Sequence, residues 1–201
     1  MSTEAPLAKA PKRARGVQRV AELLDAGAAL FVENGYESTT MTLIAKRAGA
    51  SIGSLYQFFP SKQALAEALF ARYVERVASM LEDLAKRAPG SSPLRLADRL
   101  IDLMLKVRSD RDSAAALSGS VSGIVERRQS LRGATRRQIA AILRAANPRL
   151  REKAAAESAA MIGHVLKLVP TLAKEQEEGG QPLVAQVRKM LAAYIESIVK
   201  H

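Results

Sequence analysis

Side chains able to do covalent or metal chemistry are scarce in this chain of 201 residues. It has no cysteine, so it offers no disulfide, thiolate metal ligand or thiol nucleophile. Its two histidines, His164 and His201, are far apart in sequence. No Gly-rich phosphate loop and no nucleophile-and-base pair is visible. The expectation is a protein that is not an enzyme and carries no metal or other cofactor. What it does concentrate is recognition chemistry. The stretch ASIGSLYQFFPSK, Ala50 to Lys62, holds Tyr56, Phe58 and Phe59, three of the eight aromatic residues. Ser54 and Gln57 can hydrogen-bond the edge of a base, and Ile52 can touch an apolar group such as a thymine methyl. Gly53 lets a backbone come close. The Tyr56 hydroxyl can bond a phosphate, and Lys62 offers a point charge beside a helix start, where anions are already favoured.

Those side chains need a scaffold, and the neighbouring pattern supplies one. A helix is expected from about Gly16 to Asn34, with Val20, Leu24, Phe31 and Val32 near one face. Gly35 suits a left-handed stop after it. Thr39 or Thr40 caps a second helix, MTLIAKRAG, which ends at Gly49. Ser51 caps a third short helix, IGSLYQF, broken by Pro60. Two short helices on a Gly turn behind a longer amphipathic one have the layout of a helix-turn-helix, about residues 40–59. Ala45 and Ala48 permit close approach. Ile44, Leu55 and Phe59 would anchor the third helix. That helix then presents Ile52, Gly53, Ser54, Tyr56 and Gln57 outward at the width of a DNA major groove.

Residues 31–69, FVENGYESTTMTLIAKRAGASIGSLYQFFPSKQALAEAL, resemble the TetR-type (TetR/AcrR) transcriptional regulators. The family pattern runs from an aromatic residue ending the first helix, through G-Y/F, T-T, I-A, A-G-V-S, G-S/T-L-Y and F, to P-S-K. The resemblance is close over about residues 16–70 and architectural beyond. It implies that Thr40 opens the second helix near the DNA backbone and that Thr42 contacts bases. It implies that Ser51, Ile52, Gly53 and Ser54 begin the reading helix, and that Tyr56 and Lys62 bind phosphates. Ile52 and Phe58 depart from the pattern, since polar or phosphate-bonding residues are common at both places.

The rest of the chain reads as helices. One runs from Lys62 to about Ala88, with Leu65, Leu69, Val77, Met80, Leu81 and Leu84 as a buried stripe. Others follow at about 94–108, 112–119, 122–146, 149–176 and 182–200. The fold class is all-α, with about nine helices. The domain reading is a basic arm over 1–15, a DNA-binding head over 16–62 and a C-terminal domain over 63–201. By resemblance the last holds an inducer pocket and a dimer surface. Met104, Met161, His164 and Leu168 are the candidate ligand-binding residues. Val165 and Leu172 with Val187, Leu191, Tyr194 and Ile198 are the candidate dimer interface, stepping by three and four as in a four-helix bundle. Arg128, Arg132 and Arg136, with Arg127 and Arg137 beside them, form either a solvated face or a seat for an anionic ligand.

The formal net charge is +11. Residues 1–62 hold eight Lys/Arg and five Asp/Glu, +3, and residues 63–201 hold 23 and 15, +8. A basic chain favours an anionic partner. No apolar N-terminal core and no membrane-length apolar run is seen, which reads as a cytoplasmic protein without membrane contact. The sequence thus points to a regulator, most simply a ligand-responsive repressor, binding a near-palindromic double-stranded DNA operator as a homodimer, with an unidentified small-molecule inducer. An architectural DNA binder without inducer, or a helical small-molecule-binding protein, are the alternatives.

Overall fold

A computed structural model describes residues 14–117, 121 and 123–200; all but the last two residues of the expected basic arm lie outside them. The described residues form ten helices and no strands. They are α1 (Ala14–Ser38), α2 (Met41–Arg47), α3 (Ile52–Phe58), α4 (Lys62–Lys86), α5 (Pro93–Lys106), α6 (Arg108–Ala116), α7 (Ile124–Ala146), α8 (Glu152–Leu166), α9 (Val169–Glu177) and α10 (Leu183–Val199). None is long and apolar enough to cross a membrane. The helix expected over 149–176 is two helices. Its register is lost at Lys167 and Leu168, and Pro170 opens α9, where a missing N–H costs nothing.

The chain divides into two compact units, one made of residues up to Val74 with Ser109–Arg128, the other of Glu75–Arg108 with Gln129 onward. This division falls inside α4, between Val74 and Glu75, whereas the boundary expected between 62 and 63 stands at the start of that helix. The first unit also recruits a segment from far along the chain.

In the first unit the turns are built as their residues dictate. α1 is broken at Gly35 (φ 77°, ψ 165°), a conformation that strains any residue with a Cβ. Thr39, which is buried, reaches back with its hydroxyl to the carbonyls of Gly35 (2.8 Å) and Leu30 (3.1 Å). That leaves the capping of α2 to Thr40, whose oxygen accepts from the Leu43 N–H at 3.2 Å. Gly49 turns the chain at φ 60°, and the Ala50 N–H closes on the Ala45 carbonyl at 2.9 Å. Ser51 caps α3 by accepting from the Ser54 N–H at 3.1 Å. Leu23, Phe31, Ile44, Leu55 and Leu65 are fully buried between these helices, with Phe59 beside them. Leu117 and Ile124, from the recruited segment, are fully buried in the same core. α1 and α4 touch closely: a side chain at Gly27 would meet a Leu65 methyl at 2.6 Å. Arg72 on α4 ties α1 to α6, through Asp25 at 2.7 Å and Asp110 at 3.5 Å.

The second unit is organised around α5 laid along α10, with α8 and α9 packed on both. Leu96, Leu100, Ile101 and Leu103 of α5 meet Val187, Leu191 and Ile195 of α10 in its core. Arg188 clamps the pair, donating to Asp98 at 2.7 Å and Asp102 at 3.2 Å on successive turns of α5.

Candidate nucleic-acid interface

Leu55 and Phe59 hold α3 by its inner face, as their spacing requires, so its other residues must point away from the core. Thr40, Thr42, Ser51, Ile52, Gly53, Tyr56 and Gln57 are exposed and Ser54 is half-buried. Tyr56 keeps half of its surface in solvent and Ile52 41%. The nine expected residues thus gather on α2, α3 and the turns around them, apart from Lys62 at the start of α4. Two of the hydroxyls are already acceptors in helix caps, at Thr40 and Ser51; each retains its proton for donation outward.

Lys62 does more than stand at a helix start. Its ammonium donates to the carbonyls of Tyr36 (2.8 Å) and Glu37 (3.2 Å) and lies 4.3 Å from the centre of the Tyr36 ring. It ties the α1–α2 turn to α4, and of its three protons one is left for an outside anion. Tyr36 is correspondingly set into the head, in tilted contact with Phe31. Burial, then the carboxylates of Glu37 and Glu67, push its hydroxyl pKa up.

Two exposed residues on this face were not legible as contacts. Leu43, counted among the apolar positions of α2, is 41% exposed. Lys46, in the last turn of α2, is exposed and has no carboxylate partner among the described residues, whereas its neighbour Arg47 forks onto Glu33 at 3.1 and 2.5 Å. Only that pairing separates a free cation from a spent one, and sequence alone does not reveal it. Val32, expected on the buried face of α1, is half in solvent, because at helical spacing it lies across the helix from Leu23, Gly27 and Leu30.

The second unit corrects the expected residues more deeply. Met161 and Leu168, taken as pocket wall, are 54% and 56% exposed, His164 is exposed, and Met104 is half-buried. A hollow of about 320 Å³ is lined by Met80, Leu84, Leu103, Arg87, Arg99 and Asp102 among others, and by none of those four. Val187 and Leu191, taken as dimer residues, lie in the core against α5, so no second copy can cover them. Val165, Leu172, Tyr194 and Ile198 are half-buried. The large apolar side chains that do face outward are Met161 on α8, Leu168 between α8 and α9, and Leu183 and Met190 on α10.

Residues 23–69, which carry the capped turns and the exposed face, match the family profile of bacterial regulatory proteins, tetR family. The head is thus similar in sequence to that of the TetR family. The HTH-type transcriptional repressor KstR of Rhodococcus jostii is 40% identical to the TetR-type head and its surroundings over 77 residues, 38% of this chain and 34% of that protein. The first few curated relatives are matched over only about a third to two fifths of their own length. Solved TetR-type folds align with nearly the whole chain. A TerR/AcrR-family transcriptional regulator from Aquifex aeolicus superposes with TM-score 0.65 at 17% identity, covering 90% of this chain and 99% of that one. FadR of Bacillus subtilis, solved with stearoyl-CoA, does so with TM-score 0.62 at 18% identity, covering 89% and 98%. At that identity the likeness is one of fold.

Proposed function

We propose that this protein is a DNA-binding transcriptional repressor that acts as a homodimer on a near-palindromic operator and is released by a small molecule. The observation that carries the reading is the head: a family match over 23–69 whose α3 is anchored by Leu55 and Phe59 and leaves Ile52, Ser54, Tyr56 and Gln57 in reach of a major groove. Thr42, Ser54 and Gln57 read base edges, and Ile52 reads by apolar contact. Tyr56, Thr40 and the remaining proton of Lys62 position the head on phosphates, with Lys46 as a further cation. The relatives named as repressors favour repression over an architectural role.

The dimer is assigned to the exposed Met161, Leu168 and Met190, with the half-buried Val165 and Tyr194 beside them, in place of the core residues first considered. The effector acts on the second unit, and it shifts the protein away from the operator-binding form only by binding the other form more tightly. α4 runs unbroken from residues of the head into residues of the second unit and serves as the lever.

The test is selection of bound sequences from random duplexes, followed by titration of the winner at several salt concentrations. The expected result is a two-fold-symmetric consensus and an affinity that falls steeply with salt. Tyr56→Phe should weaken all duplexes about equally, whereas Thr42→Ala and Ser54→Ala should change which base is preferred. No duplex binding at low salt would end this reading.

A further inference from the structure

Several arginines elsewhere in this protein are paired with carboxylates: Arg47 with Glu33, Arg72 with Asp25, Arg108 with Glu177 and Arg188 with Asp98. The segment from Arg127 to Arg151 is different. It contains eight arginines and no Asp or Glu. Within it, on α7, Arg136 Nη2 lies 3.2 Å from Nε2 of His164 on α8. A guanidinium can only donate, so in this contact the imidazole nitrogen is the acceptor. The partner of this cation is thus an imidazole and not a carboxylate. Nothing there cancels its charge. The nearest acidic residue earlier on α8 is Glu157, seven residues before His164 and so about 10 Å away along the helix axis. A Cβ at Gly163 would lie 3.8 Å from Arg136 Cγ, an ordinary contact, so the arginine stem runs alongside α8 at this point. Arg132, one turn earlier on the same row of α7, is exposed and has no partner among the described residues.

We propose that Arg132, Arg136 and His164 form an anion subsite in the second unit, and that it takes the phosphate of a phosphorylated small molecule. Two guanidinium forks match the oxygens of a phosphate in pairs. Their combined charge exceeds what one carboxylate would neutralise, which favours a phosphate. His164 supplies a third polar group, through its imidazole ring. The proposal deepens the effector part of the reading above and rests on it.

Thermal melting of the full-length protein, with ionic strength matched by NaCl, tests it. The probes are inorganic pyrophosphate and ADP, with adenosine as the uncharged control. At ten times Kd, pyrophosphate or ADP should raise Tm by about 3–6 °C, and adenosine should not. The double variant Arg132→Gln/Arg136→Gln should lose that rise, Arg136→Lys should keep part of it, and Arg144→Gln, an exposed arginine later on α7, should keep all of it. A rise that survives in the double variant, or one reduced equally by Arg144→Gln, overturns the proposal. So does a double variant that loses duplex affinity in a protein giving no response to ADP, because the arginines would then be holding a nucleic-acid backbone. Duplex binding by the wild-type protein is read in a separate titration, so its absence would sink the regulator reading and leave the anion subsite standing on its own melt.

Discussion

Single side chains in the head divide by what holds them. Leu55 is fully buried and has no polar role, so Leu55→Ala should cost about 2–5 kcal/mol in denaturant melts. Its cost in duplex affinity should vanish wherever the head is still folded. Lys62 was legible as a cation near phosphate, and its second job was not. That job depends on Gly35 bringing two carbonyls under the ammonium, a long-range consequence of one backbone angle. Lys62→Met should therefore lower both stability, by about 1–2 kcal/mol, and duplex affinity. Loss of affinity alone would show that the internal contacts are worth little. Arg72 is a sharper case. Asp110 is 8% exposed and Asp25 is 70% exposed, while the Arg72 Nε is buried without a partner. Removing the arginine takes a cation from a buried carboxylate, whereas removing Asp25 changes a surface pair. Arg72→Met should cost about 2–3 kcal/mol and Asp25→Asn less than about 0.5 kcal/mol, compared by urea midpoints.

Short elements are set by their caps, and these were the most readable parts of the sequence. α2 and α3 have seven residues each, too few to persist alone. Their side-chain caps come from Thr40 and Ser51, so Thr40→Ala or Ser51→Ala should each cost about 1 kcal/mol. The Arg47–Glu33 fork joins α2 to α1 and holds the Glu33 carboxyl below its ordinary pKa, through its hydrogen bond first and its charge second. A lowered folded value means the pair contributes fully above the ordinary carboxylate range and is lost as pH falls through it. Any stability difference between wild type and Arg47→Gln at neutral pH should therefore diminish as pH falls below the ordinary carboxylate range, and shrink in high salt. Longer helices were read less well. A three-four step predicts that a stripe is buried but not by what. Val187 and Leu191 satisfied it by facing α5, while Met161 and Leu168 satisfied the same step facing outward. The split at Leu168 escaped notice because apolar residues continue through it and Pro170 sits where a new helix tolerates it.

At the scale of the molecule, the outward apolar side chains of α8 and α10 make the oligomer testable. Met161→Lys with Met190→Lys should convert the proposed dimer to a monomer by light scattering without lowering Tm, since both side chains are more than half exposed in the single chain. A fall in Tm that tracks protein concentration in the wild type but not in the variant would support the same assignment. The division into units was the part least visible from the sequence. Loop signals mark where helices end but do not say which core a helix joins, and nothing in the SDRDSAAAL run announces that Ala114 and Leu117 pack with Phe31 and Leu55. That borrowed segment has a consequence for how the protein is born. A head whose last hydrophobic contributors are Leu117 and Ile124 cannot close when residue 74 leaves the ribosome. It must wait through the synthesis of α5, exposing a gap that chaperones can recognise. Nascent chains stalled before the codon for Ser109 should be digested rapidly by protease, and resistance should arise abruptly once residue 124 has cleared the exit tunnel.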